Sequence, residues 1–349
     1  MGAPSTDTML RLQDGVISRR QVLAAGLDDN DIERLVRRRL WAVVHPGVYV
    51  DHTGPLRWIQ RAWAAVLALE PAVLAGTSAL RAHGWSHMGA GARQGDDHRV
   101  IYVAVDRDRH VKAPTGVVLV RRTGFGWRGQ GHLSPPRLRI EEAVIDVAEL
   151  AARDSEAVAV IADACQQGLT TPVRLLEATR LRVRMKRRQL LRDVLDDAGS
   201  GVRSVLERRY AREVERAHGL PTGRRQRRVL TRRGATYRDV EYSEQAVVIE
   251  LDGRLVHASA EARWGDIERD IESAIGGDLT VRLGWGQVAE PCRTAAGIAR
   301  LLRSRGWRGH PRSCSPSCPV ASLESEDGRR GGCPGHDAGD PPPRGRSSS

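Results

Sequence analysis

Residues 236–257, TYRDVEYSEQAVVIELDGRLVH, decide the reading of the C-terminal third of this chain. The first run, TYRDVEY, alternates with the period of a strand, and AVVIEL is a short continuous apolar run ending in acids. In a strand, positions i and i+2 share a face, so Glu250 and Asp252 project together. A run this apolar is ordinarily buried, and carboxylates are costly to leave unpaired there. Two same-face acids at the end of a core strand therefore call for a cation, and an all-oxygen donor set suits Mg²⁺ or Mn²⁺. Asp239, on the neighbouring strand of a hairpin, would complete the pocket. Such a metal would activate water and neutralise a scissile phosphate. The alternative is an ion pair of Glu250 with Arg238 or Arg254, with Asp252-Gly253 serving only as a turn.

Working outward, SVLERRYAREVERAHGLP (204–221) reads as a helix carrying Glu207. The basic run RRQRRVLTRRG (224–234) supplies Arg227 and Arg228 as phosphate contacts. Downstream lies His257.

The 349-residue chain carries a formal charge of +12, which favours a polyanionic partner. Lys112 and Lys186 are its only lysines, so the charge is almost wholly arginine. Eight arginines against five acids from Arg303 onward leave +9 on the rest, so the excess is not a property of the tail. Five cysteines, odd in number and mostly C-terminal, are no disulfide framework, and a reducing, cytoplasmic setting is expected. The longest apolar stretch, AWAAVLAL from Ala62, stops at Glu70-Pro71, well short of the roughly 20 residues of a membrane span. No membrane partner is expected, and no secretory segment follows Met1.

The first 50 residues predict a helix, a second amphipathic helix and a tight hairpin. Ser18 and Gln21 have capping-box spacing, and Gly26 ends the helix they open. Asp28 or Asp29 caps the next, with Ile32, Leu35, Val36 and Leu40 on one face and Arg34, Arg37, Arg38 and Arg39 on the other side and last turn. WAVVHPGVYV follows as two short strands hinged at His45-Pro46-Gly47. This is the order of a winged helix-turn-helix, whose second helix would enter the major groove of double-stranded DNA. A solvated basic face accounts for the same arginines without DNA.

Two resemblances extend these readings. DGVISRRQVLAAGLDDNDIERLVRRRLWAVVHPGVYV, followed by TSALRAHGW and PPRLRIEEAVIDVAE, resembles the N-terminal domain of AbiEi-type antitoxins over residues 8–150. That likeness implies DNA binding, autoregulation at the protein's own promoter and a cognate toxin as partner. Residues 200–290 are similar to the very-short-patch-repair-like endonucleases of the PD-(D/E)xK nuclease superfamily. The shared order is Ser204 to Glu207, then Tyr237-Arg238-Asp239, then Ile249-Glu250-Leu251-Asp252-Gly253, then His257. Arg269-Asp270, Val281-Arg282 and Trp285 follow. The resemblance implies Asp239 and Glu250 as metal ligands, Glu207 as the helix acid, His257 as a candidate base or phosphate contact, and Mg²⁺-dependent phosphodiester hydrolysis. One departure matters: Asp252 stands where the superfamily has lysine, and no lysine lies nearby. That leaves a non-catalytic repressor or antitoxin using a nuclease fold as the second reading. RNA as the polymer also stays open, because phosphate contacts do not distinguish the two.

The expected fold class is therefore α+β or α/β. It comprises a winged helix-turn-helix at 8–55, a mostly helical region with a small β hairpin (strands near 99–105 and 116–122) at 56–198, and a restriction-endonuclease-like α/β core at 200–305. A disordered tail is expected at 308–349. In that tail Cys314, Cys318, Cys333 and His336 form a zinc-capable inventory with no standard finger spacing. Trp285 reads equally well as packed or as lining a cleft.

Overall fold

A computed structural model describes residues 4–86, 100–200, 204–231, 234–253 and 277–323. They form two compact units of mixed helix and sheet. The first comprises described residues 4–200 and 204–206, together with 252–253 and 284–289; the second comprises 207–231, 234–251, 277–283 and 290–323. Among the described residues, no helix is long and apolar enough to cross a membrane.

The first unit opens with α1 (Thr6–Leu12), β1 (Val16–Ser18), α2 (Arg19–Ala24), α3 (Asp29–Arg37), β2 (Ala42–His45) and β3 (Val48–Val50). β3 lies between β1 and β2 and is antiparallel to both, so this three-stranded sheet includes a strand, β1, that the sequence pattern does not single out. The capping box at Ser18 and Gln21 is present, and Asp28 forms a second one with Asp31. Gly47 takes the left-handed conformation (φ 73°) that the tight β2–β3 turn requires. Ile32 packs in a cluster with Ile17, Val22 and Trp41, bordered by Leu35 and Val36. Leu40 leaves that face: α3 ends at Arg37, Arg39 turns to φ 58°, and Leu40 projects into solvent.

The following region holds α4 (Trp58–Ala68), β4 (Val73–Leu74), α5 (Gly76–Ala82), β5 (Ile101–Asp106), β6 (Val117–Arg122), α6 (Phe125–Arg128), β7 (Gly129–Gln130) and β8 (Arg137–Leu138). α7 (Ile140–Leu150), α8 (Asp154–Gln166), α9 (Pro172–Arg180) and α10 (Arg188–Ser200) complete it. The two expected strands are there, but they are not a hairpin. β5 and β6 run parallel, from Ile101 beside Val117 to Asp106 beside Arg122, inside a five-stranded sheet ordered β6-β5-β4-β8-β7. The connection must run back along the strand before β6 begins, and Arg109 pins it. Its guanidinium donates to the carbonyls of Leu69 (2.5 Å) and Pro71 (2.7 Å).

α7 buries more than the apolar stripe Ile140, Ala143 and Val144. Glu142 and Asp146 are buried as well, around Arg182, which is itself only 5% exposed. Arg182 reaches Glu142 (2.6 Å), Asp146 (2.8 Å) and Glu149 (2.6 Å). Arg128 adds a second contact to Glu142, and Arg122 a second to Asp146. Burial works against the Arg182 charge, but Asp146 and Glu142 outweigh it and raise its pKa above the ordinary value. Trp285 resolves as a packed residue: it is buried, and its indole N–H donates to Asp197 (3.1 Å).

The second unit is built on a four-stranded sheet ordered β12-β11-β10-β9. Its strands are β9 (Arg224–Thr231), β10 (Gly234–Tyr242), β11 (Val247–Asp252) and β12 (Leu279–Gly284). α11 (Ser204–Arg209) leads through a π-helical turn, Tyr210–Glu215, into the short turn Arg216–His218. The helix Pro291–Ser304 follows the sheet, and beyond it Arg305 donates to the carbonyls of Gln245 and Gly277. The tail expected from residue 308 is not free chain at its start. Residues 308–323 are described, Arg312 N–H donates to the His218 carbonyl (2.9 Å), and Cys318, Val320 and Leu323 are buried. Apolar and cysteine anchors in an otherwise polar stretch account for the difference.

Candidate acid site on the C-terminal sheet

Alternation along β11 buries Val247, Ile249 and Leu251 and leaves Glu250 half-buried on the opposite face. The β10–β11 ladder ends with Val240 beside Ile249, and Asp239 and Glu250 are the next residues on the two strands. On the other side of β10, Arg225 pairs with Val240 and Arg227 with Arg238, with Gln226 and Asp239 between them. Gln226, Asp239 and Glu250 thus succeed one another across three strands as an acid row just past the end of the β10–β11 ladder.

The row is held by specific contacts. Asp239 is 3% exposed. Its Oδ2 accepts the backbone N–H of Leu251 at 2.8 Å, and its Oδ1 accepts from the Gln226 amide at 3.3 Å. The same Gln226 nitrogen donates to Glu207 Oε1 at 2.8 Å, so one amide gathers the helix acid and the strand acid. Gln226 achieves this from a left-handed backbone (φ 47°) that kinks β9 where it passes Asp239. Glu250 is held from β12, where Arg282 Nε donates to its Oε2 at 3.0 Å.

Behind the sheet, buried polar groups fix the helix that carries Glu207. The Tyr210 and Tyr242 hydroxyls are 2.9 Å apart, Tyr242 donates to Glu215 Oε1 at 2.6 Å, and Arg225 pairs with Glu215 Oε2. Burial pushes both phenols well above their ordinary pKa and raises that of Glu215. The hydroxyls and the carboxylate are thus all engaged, while Arg225 Nη1 is buried without a hydrogen-bond partner.

Of the sequence-derived site residues, Glu207 and Asp239 are joined through Gln226, while the partner of Glu250 is Arg282 on β12. Asp252 ends β11, half-exposed. His257 and Arg254 lie outside the described residues. The ion pair weighed for Glu250 exists with a different partner: Arg282 holds it, while Arg238 reaches Asp278 (2.6 Å) and Glu241 (3.5 Å). Arg227 pairs with Glu241, and Arg228 is exposed. Sequence reasoning missed Gln226 and left Arg282 without a role. A lone glutamine in an arginine run carries no periodic signal, and only the strand register shows what it faces. In the first unit Arg34 is tied to Asp31 (2.5 Å), while Arg37, Arg38 and Arg39 are exposed and lack an ion-pair partner among the described residues.

The carboxylates of the row offer oxygen donors only, and the Gln226 amide nitrogen donates hydrogen bonds to them and is no metal ligand. No protein-family model and no curated protein matches the chain.

Proposed function

We propose that this protein binds double-stranded DNA and cleaves phosphodiester bonds at the acid row of its C-terminal sheet. The observation that carries the proposal is the Gln226 amide, which joins Glu207 to the buried Asp239, with Glu250 just past the end of the neighbouring ladder. Asp239 and Glu250 would hold Mg²⁺ or Mn²⁺, and Glu207 would support them from the helix. When bound, such a cation lowers the pKa of water and offsets charge on the phosphate. The chain's own groups do the positioning. The Leu251 N–H fixes one Asp239 oxygen, Gln226 aligns Glu207 with the other, and Arg282 orients Glu250. Arg227 and Arg228 on β9 supply phosphate contacts beside the row. The helix order and the β1–β3–β2 sheet of residues 6–50 support a winged helix-turn-helix as a second DNA contact, with Arg37, Arg38 and Arg39 at the end of α3.

A second reading has its own observation. Arg282 already neutralises Glu250, and no lysine lies in residues 200–290 to act as the base. On this reading the protein is a repressor or antitoxin, binding its own promoter and a cognate toxin through a nuclease-derived fold. Incubation with supercoiled plasmid and Mg²⁺ or Mn²⁺ separates the two. Cleavage that disappears in Glu250→Ala supports the nuclease; wild-type activity no higher than that of the variant sinks it. A gel shift on promoter DNA that survives Asp239→Ala but vanishes in Arg37→Ala/Arg38→Ala is the signature of the binding-only protein.

A further inference from the structure

Four side chains from three separate parts of the second unit converge away from the acid row. His218 closes the turn after the π-helical segment, Cys292 lies in the first turn of the helix Pro291–Ser304, and Cys314 and Cys318 come from the tail. One ligand atom from each lies within 4.8 Å of all the others, and the Cys292 and Cys314 sulfurs are 3.4 Å apart. Four atoms placed 2.0–2.3 Å from a shared tetrahedral centre would stand roughly 3.4–3.8 Å apart, so a small contraction brings the cluster to metal distances.

The histidine gives an independent indication. His218 is 1% exposed, and its Nδ1 lies 3.2 Å from the Val214 carbonyl, which fixes the proton on that nitrogen. The lone pair is then on Nε2, which is buried with no hydrogen-bond partner. A ring whose one nitrogen donates to a carbonyl while the other presents a bare lone pair is the arrangement of a metal-ligating histidine. An unsatisfied buried acceptor is otherwise costly.

We propose that His218, Cys292, Cys314 and Cys318 form a structural Zn²⁺ site that fastens the tail to the second unit. Each thiol that ligates gives up its proton to solvent, the imidazole stays neutral, and a Cys₃His set leaves no open coordination position. The preference for zinc over the magnesium-type ions suited to the acid row follows from the donors, three sulfurs and one nitrogen against oxygens. Of the tail residues singled out from the sequence, Cys314 and Cys318 are used, while Cys333 and His336 lie outside the described residues and are replaced in this set by Cys292 and His218.

The full chain, purified from zinc-supplemented cells without chelators, is expected to hold one zinc per molecule by elemental analysis. Exchange for Co²⁺ should give a thiolate-to-cobalt charge-transfer band and the intense red absorption of a tetrahedral S₃N centre. His218→Ala and Cys314→Ser should each lower metal retention against a weak chelator by about tenfold or more, because each removes a direct ligand. His218→Cys should restore retention and shift the cobalt bands toward a four-thiolate centre. Cys314 is exposed, so its serine variant has no core to disturb, and an unchanged far-UV spectrum would confirm that it is folded. Three results overturn the proposal: wild-type protein that takes up no zinc after reduction, retention that follows Cys333→Ser rather than His218→Ala, or a Cys292–Cys314 disulfide in the protein as purified.

Discussion

The carboxylate of Asp239 accepts the backbone N–H of Leu251 at 2.8 Å, so a side chain on β10 completes the hydrogen bonding of β11. Asp239 is therefore structural as well as a proposed ligand, and its substitutions separate the two roles. Asp239→Ala leaves a buried N–H unsatisfied and should cost about 1–3 kcal/mol in urea unfolding. Asp239→Asn keeps an acceptor and should cost less, while losing any divalent-cation dependence of plasmid cleavage. An alanine variant as stable as the parent would refute the structural role.

Arg182 compensates three carboxylates at once. Arg182→Ala leaves Glu142 and Asp146 buried, with only Arg128 and Arg122 to balance them. The expected loss is about 3–5 kcal/mol, read from the chemical denaturation midpoint. Double substitution of Arg182 and Glu142 should cost less than the sum of the single changes.

Gly253 is required by a close approach rather than by its backbone angles. A Cβ built there would lie 2.1 Å from Asp197 Oδ2, the oxygen that accepts the Trp285 indole N–H. Gly253→Ala should therefore displace Asp197 and lower stability by about 1–3 kcal/mol. The change should be visible in tryptophan fluorescence as well as in the melting temperature.

His83 predicts a pH dependence. Burial lowers its pKa below the ordinary histidine value, against the opposing effect of its hydrogen bond to the Leu138 carbonyl (2.9 Å). The unfolded chain then takes up a proton at higher pH than the folded one. The stabilisation is fully present above the unfolded pKa, near 6.5, and is lost as pH falls through the lowered folded value. His83→Gln, which can still donate to Leu138, should flatten the difference in stability between about pH 8 and about pH 5. An identical difference in the variant would exclude His83 as its source.

The local readings that succeeded rest on short-range chemistry. The capping box of Ser18 and Gln21, the turn at Gly47 and the face of Ile32 are each decided within four residues of chain. Failures came where distant segments decide the outcome. Nothing local to β5 says that β6 will lie parallel to it, because the determining contacts run from Arg109 to Leu69 and Pro71. The polar side of α7 reads as solvated until Arg182 arrives from about forty residues away. At the acid row, strand alternation pointed to Glu250, and the hairpin pointed to Asp239. The glutamine that links Asp239 to Glu207 is visible only through the register of a third strand. That His218 and Cys292 lie close to Cys314 and Cys318 was hidden for the same reason, since the tail by itself shows no standard zinc-finger spacing.

The kink at Gln226 also bears on how the protein behaves at high concentration. β9 is the outer strand of its sheet, and such a strand offers a row of backbone groups on which another chain can zip. Arg224 and Arg228 stand exposed on this edge, Arg225 and Arg227 are tied to Glu215 and Glu241, and the left-handed Gln226 interrupts the regular ladder. Charged and interrupted edges are a device by which sheets resist pairing with another chain. Straightening the bend that gathers two acids is therefore expected to favour strand-by-strand self-association.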